Sequence, residues 1–254
     1  MVALNSSLSP VSIGSENVFD LECRTFHRSP QKLTFFEAAG LIDERHLVRP
    51  SMPQMVDLMY GVYELERSAG HRLPQGNSLV GGNIFFTWAF TQQLFVPGEG
   101  VYFSDDIEVR KQQRIFGRPR EEIVVDPTLL RNKLGSKEED GVVYSDCRRV
   151  RFVPKGYNTN IWYGNKIDAC PFVIGLLGGK ENAEKWRKLS EDDCYDSYSP
   201  PCLHTTPLDD ITESKLRVSA FGGCGDWSYC TLGLFSADPN KGAKGYSWGL
   251  ARRV

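Results

Sequence analysis

The chain lacks both a long apolar run and an excess of charge of one sign. Its 254 residues carry 30 Lys and Arg against 32 Asp and Glu, so no strongly basic face predicts nucleic-acid binding. No stretch approaches the roughly 20 apolar residues that cross a bilayer. Residues 1–18 are a Ser-rich arm without the basic head, apolar core and cleavage site of a signal peptide. We therefore expect no membrane insertion, and a protein that is cytoplasmic or carried on a virus particle.

Catalytic patterns are also scarce. The four histidines lie in separate segments, without a partner at a diagnostic spacing: His27, His46, His71 and His204. Asp105 and Asp106 are adjacent carboxylates, but neighbours in sequence often point apart, and they offer too few oxygen ligands for calcium. We expect no catalytic residue, no metal and no cofactor.

The cysteines are odd in number and have no CxxC spacing, which argues against a disulfide framework. There are seven: Cys23, Cys147, Cys170, Cys194, Cys202, Cys224 and Cys230. Several of them, with His204, could supply zinc ligands, but structural zinc sites usually pair their ligands two to four residues apart. A Cys194–Cys202 disulfide would require an oxidising compartment. We expect free or partly buried thiols.

Two helices are predicted near the N-terminus. Thr34 followed by Glu37 is a capping-box pattern that predicts a helix start. Ser51 and Pro53 open a second, longer helix that ends near Gly70. Its apolar residues recur at steps of three and four and predict one buried face: Met52, Met55, Val56, Met59, Val62 and Tyr63.

The remaining chain favours short strands with long loops, and the fold class is α+β. Strands are predicted at 19–27, 83–88, 92–96, 101–104, 107–110, 142–144, 149–153, 171–177, 215–221, 229–235 and 245–252. Residues 171–177 form a nearly continuous apolar run that favours a central strand covered on both faces. Short helices are predicted at 126–134 and 180–189, and loops at 136–141 and 190–210.

The C-terminal segment has the composition of a recognition surface. Large aromatic residues and small adaptable ones are crowded between two predicted strands, as in binding sites that gain contact area at low entropic cost. The candidate binding residues are Gly222, Gly223, Cys224, Gly225, Trp227, Ser228, Tyr229, Cys230, Phe235 and Ser236. Because strand side chains alternate, we expect Leu232 and Leu234 to point inward, and Trp248 and Leu250 to pack in the core.

Three segments together resemble a known family. Residues 33–59, LTFFEAAGLIDERHLVRPSMPQMVDLM, resemble the two-helix opening of C-type-lectin-like domains, especially the formylglycine-generating-enzyme-type branch. The ending GYSWGLARRV, 245–254, is similar to the terminal GxxxGxR strand of that branch, which pairs with the N-terminal strand. Residues 222–240, GGCGDWSYCTLGLFSADPN, resemble the variable region of proteins diversified by retroelements.

The resemblance implies a single C-type-lectin-like domain over residues 19–254. It covers residues 19–104 and 214–254, with an insertion at 105–213 and a variable ligand-binding region at about 217–250. The implied function is non-enzymatic binding of a macromolecular ligand, expected to be a protein and not a nucleic acid. Retroelement mutagenesis of the favoured Asn codon cannot produce Lys, Glu, Gln, Met or Trp. Across the 22 residues 219–240, Trp227 alone belongs to that set.

Two other functions remain open at this point. The same resemblance includes formylglycine-generating copper oxidases, which would use Cys224 and Cys230. The extended C-terminal signature of that family, with a Gly-Gly-Ser-Trp run, is not present. A structural virion or surface protein without a diversified site is the second alternative.

Overall fold

Helices and strands alternate irregularly along the chain. The computed structural model describes residues 11–13, 16–21, 24–68, 86–112, 120–156, 167–193, 202–204, 211–224 and 231–251. The helices found there are α1 (Phe35–Glu44), α2 (Met52–Ser68), α3 (Pro127–Lys133), α4 (Pro171–Leu177) and α5 (Lys180–Asp193), with a short 3-10 turn at Ile167–Ala169.

Fourteen strands are assigned within the described residues, and they form three sheets. They are β1 (Val11–Ile13), β2 (Glu16–Leu21), β3 (Arg24–Arg28), β4 (Thr87–Val96), β5 (Gly100–Ser104), β6 (Glu108–Gln112), β7 (Arg120–Val124), β8 (Lys137–Glu139), β9 (Val142–Tyr144), β10 (Val150–Pro154), β11 (Cys202–His204), β12 (Lys215–Cys224), β13 (Thr231–Ala237) and β14 (Trp248–Leu250). The sheet orders are β1-β2-β3-β14, β11-β13-β12-β4-β5-β10-β9-β8 and β6-β7. The pairs are antiparallel apart from β11 and β13, which confirms the α+β class.

The two ends of the chain meet in one sheet, as predicted. Strand β14 pairs antiparallel with β3, with Trp248 opposite Arg28 and Leu250 opposite Phe26. Trp248 is 2% exposed and Leu250 is 9% exposed. The prediction that both residues pack in the core is therefore confirmed.

Local signals place α1 and α2 where the sequence predicts them. The Thr34 backbone N–H donates to the Glu37 carboxylate at 2.8 Å, and the Glu37 N–H donates back to Thr34 Oγ1 at 3.3 Å. The Thr34 N–H holds the pKa of Glu37 below its usual value. In α2 the predicted face is buried, and its members are Met52, Met55, Val56, Met59 and Tyr63. The Val62 side chain and Gly70 lie outside the described residues.

The prediction of a strand at residues 171–177 is wrong, because this segment is α4. Pro171 occupies the first turn, and Gly178 ends the helix with a positive φ of 82°. Six of its seven residues, from Phe172 to Leu177, are buried. A helix buried on all sides is apolar on all sides, so its sequence has no periodicity that separates it from a buried strand. Gly175 lets the helix approach the sheet, because a Cβ there would lie 2.8 Å from the Phe103 ring.

Two further predictions, one of a strand and one of a loop, are wrong because each segment contains part of a β-hairpin. Residues 19–27 belong to two strands, since β2 ends at Leu21 and β3 begins at Arg24. Apolar residues alternate at Phe19, Leu21 and Cys23, which favours one continuous strand past the point where the chain reverses. Residues 136–141 are not all loop, because β8 pairs with β9. Asp140 and Gly141 have φ of 52° and 77°, as in the two-residue Asp-Gly turns that favour hairpins.

The other predicted elements are found with shifted bounds. The predicted strands at 83–88 and 92–96 are joined in β4, and residues 83–85 lie outside the described part. The helix predicted at 180–189 continues to Asp193, so the predicted loop at 190–210 begins too early. Strand β11 also lies within that predicted loop. Strand β13 extends to Ala237, and β14 is shorter than the predicted 245–252.

Strand β4 is the centre of the molecule. All ten of its residues are buried, and it pairs with β12 on one side and β5 on the other. Ala89 and Phe95 belong to a core cluster shared with α2, α4 and α5. Trp88 and Phe90 belong to a second cluster with α1. Helices therefore cover both faces of the sheet at this strand.

The middle segment, 105–213, supplies part of this main core. Strands β8, β9 and β10 extend the eight-stranded sheet beyond β5, and α4 and α5 belong to the large core cluster. Strands β6 and β7 form a separate two-stranded sheet. The segment that resembles no family pattern is thus built into the sheet that carries the C-terminal strands.

Replacing Trp248 with Ala should lower the free energy of unfolding by about 3–5 kcal/mol. The change leaves a large cavity where β14 pairs with β3. Chemical denaturation followed by circular dichroism measures the change. Leu129→Ala on α3 is the control. Because Leu129 is 59% exposed, this substitution should leave the free energy of unfolding almost unchanged. Equal losses in the two variants would contradict the buried role of Trp248.

Candidate functional site

The predicted binding surface is centred on the hairpin formed by β12 and β13. Seven residue pairs connect the strands, from Val218 opposite Ala237 to Cys224 opposite Thr231. The connection between the strands thus leaves and re-enters the sheet at a fixed pair of residues. Of the candidate binding residues, the structure places Gly222, Gly223 and Cys224 at the end of β12, and Phe235 and Ser236 on β13. The other candidates lie outside the described residues: Gly225, Trp227, Ser228, Tyr229 and Cys230.

The hairpin lies within the sheet and is held on both sides. Strand β4 pairs with β12 along one edge of the hairpin. Strand β11 pairs with β13 along the other edge, with Cys202 opposite Gly233. Backbone hydrogen bonds on both sides make the hairpin a rigid support for the connection at its end. Leu234 is fully buried, which confirms its predicted inward direction, whereas the Leu232 side chain lies outside the described part.

Two aromatic residues that sequence analysis did not single out lie at the start of β4, and one of them, Phe86, contacts the hairpin. Phe86 is half-buried, and its ring centroid lies 5.6 Å from that of Phe235. The Tyr246 N–H donates to the Phe86 carbonyl at 2.8 Å, which brings the C-terminal segment to the start of β4. The Arg28 guanidinium lies 3.9 Å from the centre of the Tyr246 ring. Burial holds the pKa of Arg28 below its usual value. Since these contacts join residues distant in sequence, no local pattern indicates them.

A group of buried polar side chains joins the hairpin to β4. Gln93 Nε2 donates to Ser219 Oγ at 2.9 Å, and the Ser219 hydroxyl donates to the Thr91 carbonyl at 2.8 Å. The Ser236 hydroxyl donates to Gln93 Oε1 at 2.5 Å. We call these groups the Gln93 cluster: the Gln93, Ser219 and Ser236 side chains with the Thr91 carbonyl. Ser236, a candidate ligand contact, is therefore half-buried and bonded within the domain.

The adjacent carboxylates Asp105 and Asp106 have separate partners. Asp105 accepts from both terminal nitrogens of Arg151, at 2.6 and 2.8 Å. Asp106 instead accepts from Arg149 Nη1 at 2.8 Å, and both side chains of that pair are largely exposed. The expectation that the two carboxylates point apart is confirmed. They do not form a paired-carboxylate site.

Arg151 is a charged residue at the centre of the packing. Its side chain is 1% exposed, and that of Asp105 is 13% exposed. Besides the carboxylate, the guanidinium donates to the Gly175 carbonyl at 2.7 Å and the Arg148 carbonyl at 2.9 Å. These bonds connect β10 with α4. A buried charge is tolerated because it is paired and hydrogen-bonded.

Two cysteine thiols are described, and neither forms a disulfide. Cys147 is exposed, and Cys170 is buried. The Arg149 backbone N–H, followed by the Ser145 hydroxyl, lowers the pKa of Cys147, whereas burial raises the pKa of Cys170. The expectation that the cysteines form no disulfide framework holds for these two thiols. Within the described part of the chain, no three His, Cys, Asp or Glu side chains are grouped as a metal site requires.

The histidines of the described part lie on different elements. His27 is on β3, opposite Gly249, and His46 follows α1 with a positive φ of 57°. His204 is on β11, opposite Phe235, and His71 lies outside the described residues. Among the helices described, none is long and apolar enough to cross a membrane.

Comparison with protein-family models, with curated proteins and with solved structures finds no match to this chain. The site therefore has to be interpreted from its own residues and geometry.

Asp105→Ala should lower the free energy of unfolding by about 3–5 kcal/mol, because it leaves the Arg151 guanidinium buried without its counter-charge. Urea denaturation at neutral pH measures the change. Glu99→Ala is the matched control: it breaks a carboxylate–arginine pair with Arg131 whose side chains are 37% and 43% exposed. Such a pair contributes about 1 kcal/mol or less. A similar small loss in both variants would show that Asp105 is not an important partner.

Proposed function

We propose that this protein is a non-enzymatic binding protein. Its β12–β13 hairpin presents a variable surface to a macromolecular ligand, which is another protein. The observation that carries the proposal is the seven-pair register that holds Cys224 opposite Thr231 inside a sheet. Binding residues are commonly placed on connections that a rigid scaffold positions. Side chains between two fixed strand ends can change without unfolding the domain.

The chain's architecture supports a C-type-lectin-like fold as part of this proposal. A capped helix and a longer helix follow β3 in the order that the resemblance implies. The terminal strand pairs with β3, as the last strand of that branch pairs with its N-terminal strand. The proposed variable segment, about residues 217–250, runs from β12 to β14. Strands β12 and β13 belong to the eight-stranded sheet, and β14 belongs to the four-stranded sheet.

The residues between the two strands suit binding by a few strong contacts. Trp227 and Tyr229 are the large aromatic residues of the connection, with Ser228 between them. Interfaces gain most of their energy from a few desolvated aromatic anchors, and the surrounding contacts exclude water. Gly222 and Gly223, at the end of β12, carry no side chains of their own. We therefore assign Trp227 and Tyr229 as the principal ligand contacts.

The retroelement part of the proposal has a genomic test. The composition of residues 219–240 supports it, because Lys, Glu, Gln and Met are not found there. A reverse-transcriptase gene should lie nearby, with a second copy of the segment that encodes about residues 217–250. The two copies should differ only where the second copy has adenine. A complete genome that holds neither the gene nor the copy would contradict diversification.

A copper oxidase of the formylglycine-generating type is the second candidate. The observation that favours it is the position of Cys224, which lies opposite Thr231, the residue that follows Cys230 in the chain. Titration with Cu(I) separates the two functions. Stoichiometric binding that is lost in Cys224→Ser and in Cys230→Ser would support the oxidase and would count against a purely binding role.

Trp227→Ala and Tyr229→Ala should each weaken ligand binding by about 1–3 kcal/mol, because each removes an aromatic anchor. Their free energies of unfolding should stay close to that of the wild type. The ligand is recovered on the immobilised protein, identified, and then titrated against each variant by calorimetry. Leu129→Ala is the control for an exposed apolar residue outside the hairpin. Unchanged affinity in both aromatic variants would exclude this connection as the binding surface.

A further inference from the structure

Apolar patterning alone does not determine how β13 pairs with β12. In the observed register Phe221 lies opposite Leu234. A slip by two residues would place Leu232 opposite Phe221 and would keep every side chain on the same face. Gly222 lies opposite Gly233, so that pair has no side chains to select a register. Registers are weakly specified in Gly-rich strands.

The Gln93 cluster distinguishes the two registers. Ser219 and Ser236 are directly opposite each other, and both are hydrogen-bonded to Gln93, at 2.9 and 2.5 Å. The two-residue slip would place Leu234 opposite Ser219 and would move Ser236 opposite Arg217. Because Arg217 lies opposite Gln93, it would then separate Gln93 from Ser236. Leu234 would replace the hydroxyl that donates to the Gln93 carbonyl oxygen. Gln93 and Ser219 are fully buried, so water could not readily replace that donor.

We propose that Gln93 is a positioning residue that selects the register of the β12–β13 hairpin. It thereby fixes which residues form the connection between Cys224 and Thr231. The inference rests on the proposed function only where it assigns ligand binding to this hairpin. The choice of register does not depend on that function. Leaving a buried polar group without its partner should disfavour the slipped register by about ten- to a hundredfold in population.

The neighbouring residue, Gln92, provides a matched control. It is also on β4, is 3% exposed, and faces the opposite side of the sheet because strand side chains alternate. Its Oε1 atom has no hydrogen-bond partner in the described structure. Gln92→Leu therefore removes an equally buried amide without changing the Gln93 cluster.

The test compares Gln93→Leu with Gln92→Leu by nuclear magnetic resonance on the deuterated full chain. In the wild type and in Gln92→Leu, nuclear Overhauser contacts should connect Ser219 with Ser236. In Gln93→Leu, a second set of contacts should connect Ser219 with Leu234. Amide exchange in β12 and β13 should become about ten- to a hundredfold faster, while β5 and β10 keep their protection.

Ser236→Ala tests the same bond if Gln93→Leu does not fold, and it should give the same changes to a smaller extent. Ser236→Thr retains the hydroxyl and should restore the single register. A single register in both Gln93→Leu and Ser236→Ala would overturn the proposal. Equal loss of protection in β5 and β10, or the same changes in Gln92→Leu, would overturn it too. These measurements need no ligand, so their failure is distinct from a failure of Trp227→Ala to weaken binding.

Discussion

The burial of β4 on both faces is the constraint on which the rest of the structure depends. Its ten residues lie between helices on either side and between β12 and β5 within the sheet. Burial on this scale keeps water from polar groups, so Thr91 and Gln93 bond within the protein, whereas Gln92 Oε1 has no partner in the described structure. The strand nevertheless contains Thr91, Gln92 and Gln93 in succession. Thr91 and Gln93 connect this strand to other elements.

Two of these polar residues join elements that are far apart in the chain. The Thr91 hydroxyl donates to Asp105 at 2.6 Å and accepts from the Met52 N–H at 2.9 Å. Through Asp105 it is connected to the buried Arg151 guanidinium, and from there to the carbonyl of Gly175 in α4. Gln93 makes the corresponding connection to the C-terminal hairpin. One strand thus orients two helices and the hairpin.

This arrangement suits the variable binding surface that we propose. The strands of the hairpin are paired on both sides, and their polar contacts are directed into the domain. Changes confined to the connection between Cys224 and Thr231 would leave those contacts intact. Rigid support would also lower the entropy lost on binding the proposed ligand, because the strand ends are ordered before binding. Stability and recognition would then depend on different residues of one segment.

Local chemistry allowed much of this fold to be predicted from the sequence. The Thr34–Glu37 capping box, the Met52–Met59 periodicity and the alternation of Trp248 and Leu250 each depend on residues within a few positions of one another. The candidate binding residues rest on composition alone, since half of them lie outside the described residues. Tertiary structure decided the rest. Residues 171–177 form a helix that is buried on nearly every side, and such a segment carries no periodicity that distinguishes a helix from a buried strand. Gln93 bonds with Ser219 and Ser236, 126 and 143 positions away, and only the folded sheet brings these three side chains together.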